Sequence, residues 1–468
     1  MNEKDTICAI ATPQGNGAIA IIRLSGDKSI TLCDKIFYAK NKKLSNQKAN
    51  TVHHGFLKYN KHTIDEVMVS IFKSPHSYTG ENSVEISCHG SVYIQQEILK
   101  VLINNGARLA EPGEFTMRAF LNGKLDLSQA EAVADLIASS NKASHNVALT
   151  QMRGGFSNEL FKLRNELLHF ISLIELELDF SEEDVEFADR SKLIALINKI
   201  YKLIISLRDS FSAGNAIKNG VPVAIIGKPN VGKSTLLNAL LMDEKAIVSE
   251  IAGTTRDAIE DVITLNGIQF RFIDTAGIRK TNDKIETIGI KKTYEKIKKA
   301  KIVLYLFNAD DKADKIEEAI QELEGKINQQ NQKVLILLNK IDKLSAEKLK
   351  KEIHHIKSHL SYKNFSIVPI AAKSKINIAK LEKELLSIVG LEKINEDQVI
   401  INNIRHFEAL QKSAEALERV KNGLDIKISN DFLAQDIREV LHYLGEITGE
   451  ITTDEILNNI FSKFCIGK

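Results

Sequence analysis

Val223-Ala-Ile-Ile-Gly-Lys-Pro-Asn-Val-Gly-Lys-Ser-Thr-Leu-Leu-Asn-Ala-Leu240 is a short apolar run, a glycine-bounded loop and a second apolar run at helical spacing. Strand, loop and helix in that order are the context a phosphate-binding loop requires. Backbone N–H groups and the helix N-terminus cradle the phosphates, Lys233 neutralises charge on the β- and γ-phosphates, and Ser234 ligates Mg²⁺. Further apolar runs, Phe270–Ile273, Ile302–Phe307, Val334–Leu338 and Ile367–Ile370, alternate with charged helical stretches. That alternation predicts a mainly parallel α/β sheet with crossover helices.

Two partner motifs follow in the right order. Asp274-Thr-Ala-Gly277 closes a β-run, aiming Asp274 at Mg²⁺ and the Gly277 N–H at the γ-phosphate. Asn339-Lys-Ile-Asp342 ends another strand, and Asp342 can accept from the N1–H and exocyclic amine of guanine, which adenine lacks. Guanine is therefore the expected base. This segment resembles a small GTPase of the translation-factor-like class, with Gly253-Thr-Thr-Arg-Asp257 similar to switch I and Thr255 the implied second Mg²⁺ ligand. The usual Ser-Ala-Lys is replaced by Ala371-Ala-Lys373; the Ala372 N–H can still meet guanine O6, but without the serine hydroxyl's support, so base binding should be softer.

Ras-like proteins place a glutamine after Asp-Thr-Ala-Gly to orient water, and here that position is Ile278. Arg279, Asp283 and Glu286 are the substitutes that the following segment offers. Arg256 and Arg279 are candidates to compensate transition-state charge in cis, and a monovalent cation is the alternative.

Outward from this core the pattern changes. Of six prolines, none falls in 113–221 or 370–468, and interior proline costs a helix ~3 kcal/mol. Leu160, Leu163, Leu167, Ile171, Ile174 and Leu178 form one stripe; Leu193, Ile197, Ile200, Ile204, Leu207 and Phe211 form another. Leu433, Ile437, Val440, Leu441 and Leu444 form a third. These predict a helix bundle whose halves flank the α/β segment in sequence. Alternating runs such as Ala18–Ile22 and Glu66–Ile71 predict an α+β unit at the N-terminus. The expected division is 1–117 (α+β), 118–217 and 391–468 (two parts of a helical domain) and 218–390 (the inserted nucleotide-binding domain).

Composition bounds the rest. The 468 residues are 43% hydrophobic and 26% charged, which excludes global disorder. Sixty-three Lys and Arg against 61 Asp and Glu give a formal charge of +2, so any polyanion must meet a local site. No apolar run approaches the ~20 residues of a membrane span and the start has no leader pattern, so a cytoplasmic protein without integral membrane association is expected. Cys8, Cys33, Cys88 and Cys465 lie far apart without a CxxC pair. His53 and His54, and Cys88 with His89, read as ordinary polar groups rather than metal ligands.

Beyond the nucleotide motifs, the chain is similar from end to end to the tRNA-modification GTPase family called MnmE or TrmE. The tracts that carry this are Asp5-Thr-Ile-Cys-Ala-Ile-Ala-Thr-Pro13, Ser77-Tyr-Thr-Gly-Glu81, Pro112-Gly-Glu-Phe-Thr-Met-Arg-Ala-Phe-Leu-Asn-Gly-Lys-Leu-Asp126, Gln129-Ala-Glu-Ala132 and Phe464-Cys-Ile-Gly-Lys468. The resemblance implies an α+β tetrahydrofolate-binding and dimerisation domain, a helical domain and an inserted Ras-like domain. It implies a homodimer that, with the FAD-dependent partner MnmG (GidA) in a heterotetramer or larger assembly, installs an aminomethyl or carboxymethylaminomethyl group on C5 of the wobble uridine of certain tRNAs. A tetrahydrofolate, in its 5-formyl or 5,10-methylene form, is the implied carbon donor.

Carried over by residue, Arg23, Glu85, Lys124 and Lys468 contact folate, Glu85 accepting from the pteridine edge and the cations meeting the glutamate tail. GTP or GDP is met by Asn230, Val231, Gly232, Lys233, Ser234 and Thr235; by Ser249, Glu250, Ile251, Ala252, Gly253, Thr254 and Thr255; by Asp274, Thr275, Ala276 and Gly277; by Asn339, Lys340, Ile341 and Asp342; and by Ala371, Ala372 and Lys373. Asn230, Ser249, Ile251 and Thr254 surround a potassium ion in place of an arginine finger, Ser249 standing where other members carry Thr. Glu286 aligns with the water-activating carboxylate. Cys465 has two readings, a reactive thiol near the folate or a small apolar residue in a helical core. A GTP-dependent RNA or ribosome assembly factor is the rival function; it has no use for the folate tract or the terminal Cys-Ile-Gly-Lys.

Overall fold

A computed structural model describes residues 5–40, 43–60, 62–179, 189–242, 261–273, 297–325, 327, 332–359, 365–389 and 399–468. The chain forms two compact units. The first comprises Met1–Ala138, Ala148–Ile204 and Glu408–Lys468, the second Ser139–Val147 and Ile205–Phe407. The helical segments expected over 118–217 and 391–468 are thus divided between the units.

The first unit carries a seven-stranded sheet of β1 (Ile7–Ile10), β2 (Ile19–Ser25), β3 (Phe37–Tyr38), β4 (Thr51–Tyr59), β5 (His62–Phe72), β6 (Ser83–His89) and β7 (Arg108–Leu109). Their order is β3-β4-β5-β6-β2-β1-β7, antiparallel except for the β1–β7 pair. Alternation decides the faces: in β4 and β5, His53, Gly55, Leu57, Asp65, Val67, Val69 and Ile71 point inward while Val52, His54, Phe56, Glu66 and Met68 are exposed. The inner face packs on the 92–104 helix through Ile98, Val101 and Leu102. In the same unit, helices Ser157–Asp179 and Asn430–Thr448 bury their stripes: Leu160, Leu163, Leu167, Ile171, Ile174, Leu433, Ile437, Val440 and Leu444 are all nearly inaccessible.

The second unit is built on a six-stranded sheet. Its strands are β8 (Val221–Gly227), β9 (Asp261–Leu265), β10 (Ile268–Phe272), β11 (Ile302–Asn308), β12 (Lys333–Asn339) and β13 (Phe365–Pro369). The order β13-β12-β11-β8-β10-β9 is parallel except for the edge hairpin β9–β10. Near-continuous burial of β11 and β12 is what a sheet covered on both faces requires. The phosphate-loop helix Lys233–Met242 and the 378–389 helix bury Leu236, Leu237, Leu240, Leu381 and Leu385 in one core with β8 and β10. Among the described residues no helix is long and apolar enough to cross a membrane.

Candidate functional site

The loop leaving β8 is shaped by backbone that only certain residues adopt. Asn230 has φ 59° and Gly232 φ 103°, and a Cβ at Gly232 would collide with the Asn339 amide. Glycine is required there by both conformation and space. Asn339, 3% exposed, is the tie between motifs. Its Nδ2 donates to the Val231 carbonyl at 2.8 Å, and its Oδ1 accepts from the Lys340 N–H at 2.9 Å and the Ala372 N–H at 3.0 Å.

Lys340, itself left-handed at φ 65°, donates from Nζ to the Asn230 carbonyl at 2.9 Å. Lys233 Nζ donates to the Gly227 and Lys228 carbonyls at 2.7 and 2.8 Å, bridging the loop it belongs to. Phosphate oxygens are charged acceptors and stronger ones than these neutral carbonyls. Ser234 and Thr235 open the helix as exposed hydroxyls. Asp342 is exposed in the single turn Ile341–Lys343 that follows β12. Ala371 and Ala372 are buried beside a two-way bridge to Ile376, and Lys373 is exposed.

The phosphate loop, the Asn339–Asp342 segment and the Ala371–Lys373 segment therefore meet at the carboxyl ends of β8 and β12 and after β13, where parallel α/β sheets bind ligands. The Ala372 N–H that the sequence directs at guanine O6 is engaged here by Asn339 Oδ1. Ser249, Glu250, Ile251, Ala252, Gly253, Thr254, Thr255, Arg256, Asp274, Thr275, Ala276, Gly277, Arg279, Asp283 and Glu286 lie outside the described residues.

A second polar cluster sits over β2 and β6 in the other unit. Arg23 and Glu85 are register partners, and Arg23 reaches Glu85 Oε1 from Nε at 3.0 Å and from a terminal nitrogen at 2.8 Å. The guanidinium lies 5.5 Å from the Tyr78 ring centre and 5.7 Å from that of Phe115, within cation–π range. Tyr78 donates to or accepts from Thr116 Oγ1 at 2.9 Å, and burial pushes its hydroxyl pKa up. Lys124 Nζ donates to the Pro75 carbonyl at 3.1 Å.

The C-terminus returns to the same place. The Phe115 N–H donates to the Lys468 carbonyl at 3.2 Å, and the Gly113 N–H to the Cys465 carbonyl at 3.4 Å. Gly467, at φ 93°, lies so close to the Ile10 carbonyl that a Cβ would collide with it. Arg23 with its partner Glu85, Lys124 and the backbone of Lys468 thus reach the 75–81 loop or Phe115 from four separate tracts. Sequence reasoning missed Tyr78 and Phe115, although both stand inside tracts it quoted; two aromatics flanking the arginine were the available signal.

Beneath the cluster runs an ion network. Arg118, 8% exposed, reaches Asp5 Oδ1 at 2.6 Å, Glu114 at 2.9 Å and Glu81 at 3.2 Å. Arg108 contacts the same Asp5 and Glu114, both at 2.7 Å. The hydrogen bond from Arg108 is the main cause holding the Asp5 carboxyl below its ordinary 3.8. Burial pushes Glu114 up, but hydrogen bonds from Arg108, the Glu111 N–H and Arg118 outweigh it and hold it below 4.5.

Cys465 is exposed, which corrects its reading as a small residue of a helical core. His54 contacts Glu66 and His89 contacts Asp65, at 2.6 and 2.7 Å.

Two family models match the chain: "GTP-binding protein TrmE N-terminus" over residues 6–124 and "MnmE helical domain" over 127–465. Curated proteins named tRNA modification GTPase MnmE are 54% identical in Flavobacterium johnsoniae and 52% identical in Bacteroides thetaiotaomicron, each match covering 100% of both chains. The chain belongs to the MnmE family of tRNA-modification GTPases. An Era variant from Aquifex aeolicus solved with GDP·AlF4⁻ is 33% identical over 42% of this chain and 65% of its own, with a TM-score of 0.28. As a member of the MnmE family the chain is a P-loop GTPase.

Proposed function

We propose that this protein is a potassium-stimulated GTPase that acts as a homodimer with a flavoprotein partner, adding an aminomethyl or carboxymethylaminomethyl group at C5 of the wobble uridine of certain tRNAs from a tetrahydrofolate donor. The observation that carries this reading is the convergence of Arg23, Glu85, Lys124 and Lys468 on one aromatic-floored cluster in a chain that also holds a complete phosphate loop. A switch that only binds RNA has no need of the first.

The residues suit the groups assigned to them. Both Arg23 contacts fall on Glu85 Oε1, leaving Oε2 to accept from the donor edge of a pteridine. Lys124 and Lys468 suit the glutamate-tail carboxylates. In the nucleotide site, Lys233 exchanges its carbonyl partners for phosphate oxygens and Asp342 accepts from guanine. Asn339, already buried and doubly engaged, holds both segments in place without reorganisation. Ser234 would hold Mg²⁺ together with Thr255 and Asp274, and its exposed hydroxyl at the helix start fits that ion; magnesium neutralises phosphate charge. Asn230 presents an exposed side chain whose amide oxygen is the hard ligand an alkali cation takes, joined by Ser249, Ile251 and Thr254. Glu286 orients the attacking water.

Nucleoside analysis of tRNA from a strain lacking this chain tests the reading: the C5-substituted wobble uridines should disappear. Unchanged tRNA nucleosides, together with purified protein that takes up no 5-formyltetrahydrofolate, would leave a GTP-driven assembly factor instead.

A further inference from the structure

Between Asp34 and Asp65 the sequence holds seven lysines and not one acidic residue, in a chain whose formal charge is only +2. This stretch builds β3, the connection after it and β4, at one end of the first unit's sheet. Register sets Tyr38 opposite Phe56. Both rings stand on the outer face, 50% and 40% exposed, and Lys58 Nζ lies 5.5 and 6.0 Å from their centres. Lys35, Lys40 and Lys43, within five residues of Tyr38 in the chain, are exposed. The acidic residue facing Phe56 across the sheet, Glu66, is hydrogen-bonded to His54.

Exposed rings on an open antiparallel sheet, flanked by lysines, offer unstacked bases a π-surface and phosphates a counter-charge. Lysines also guard sheet edges against pairing with other chains. That role needs only a few charges on the end strand and leaves the paired rings of β3 and β4 unexplained. A face that docks a second copy is depleted in lysine rather than enriched. Resting on the tRNA-modification reading, we propose that the outer face of β3 and β4, centred on Tyr38, Phe56, Lys40 and Lys43, docks a single-stranded stretch of the tRNA substrate.

The test uses full-length protein and a fluorescent, unmodified tRNA transcript with uridine at the wobble position, titrated by anisotropy across a salt series. The double change Lys40→Glu with Lys43→Glu should weaken binding at least about tenfold and lower the salt slope by about two units, one per phosphate contact. Tyr38→Ala with Phe56→Ala should weaken it about tenfold with the slope unchanged, because stacking releases no counterions. GTP hydrolysis should stay at the parent rate in both, and an unchanged melting transition of the first unit establishes that their sheet is folded. Parent-like tRNA affinity in both variants would overturn the proposal while leaving the tRNA-modification reading intact. So would variants that fall apart into monomers with affinity per protomer kept, which would make this face a contact between copies. A parent protein that bound no tRNA at all would overturn the reading as well.

Discussion

The loop after β8 and the cluster over β2 and β6 hold their polar groups by different means. In the loop, positioning is done by backbone: left-handed Asn230, Gly232 and Lys340, and carbonyls gripped by Asn339 and Lys340. In the cluster it is done by side chains from distant tracts, an arginine between two rings and a C-terminal turn lodged against Ile10 and Phe115. Backbone positioning needs a fixed local spacing and so writes a contiguous motif. Side-chain positioning needs only that the fold return the residues to one place, and it leaves scattered single letters.

If backbone positioning is what makes the loop work, its largest vulnerability is Asn339 rather than a phosphate contact. Asn339→Ala removes the donor to Val231 and the acceptor of two N–H groups, stranding buried polar atoms at about 1 to 3 kcal/mol each. GTP affinity measured by calorimetry should fall about a hundredfold, allowing for part of that loss being relieved by water. Affinity within twofold of the parent would mean that the left-handed backbone keeps the loop's shape without the Asn339 side chain, sharpening the contrast and removing Asn339 from it.

The cluster should fail through its foundation. Glu114, 2% exposed, stands between Arg108 and Arg118, and Glu114→Gln leaves two cations short of a counter-charge. Breaking a buried pair costs about 3 kcal/mol, less whatever the partly exposed Arg108 recovers from solvent. The melting transition of the first unit should drop while GTP affinity holds. Asp5 and Glu114 both have depressed carboxyl pKa values in the folded state. Their stabilisation is therefore complete above about pH 4.5 and is lost as pH falls through the folded values. Acid titration followed by circular dichroism should show Glu114→Gln losing less stability on acidification than the parent, and parallel curves would deny the network its role.

The same contrast governs what a reader of the sequence can find. The strands β8, β10, β11 and β12 were legible because central strands read as apolar runs, the edge strand β13 because Ile367–Ile370 is a short apolar run of its own, and the three helical stripes because each keeps one period along its whole length. The β9 edge strand was not: Asp261–Leu265 alternates for only five residues and is defined by pairing with β10. The Asp5, Glu81, Glu114 and Arg118 network was equally hidden, since no local pattern says that residues up to 113 apart share one charge cluster. Arg23 and Glu85 came from resemblance alone; read singly, they are an ordinary cross-strand pair. The division of the bundle across two units was illegible for a related reason. Helix Arg190–Asn219 runs through the boundary at Ile204 with no break in its apolar stripe.

The smallest effect should come from Cys465, where the backbone and not the side chain does the structural work. Its carbonyl accepts from Gly113 and Lys468, while its sulfur is exposed. Burial pushes the other thiols up, Cys8 to about 12, Cys88 to about 11 and Cys33 higher still, so they are protonated and shielded at neutral pH. Iodoacetamide on native protein at pH 8 should therefore modify Cys465 before any other cysteine, and mass spectrometry of the peptides reads this directly. Cys465→Ser should shift stability by less than about 0.5 kcal/mol, as surface changes usually do. Cys8 or Cys88 reacting as fast as Cys465 would mean that β1 or β6 opens readily, and the sheet beneath the cluster would then be a poor foundation. If alkylation at Cys465 instead blocks uptake of 5-formyltetrahydrofolate without altering GTP affinity, the C-terminal turn takes part in folate binding and the nucleotide loop does not depend on it.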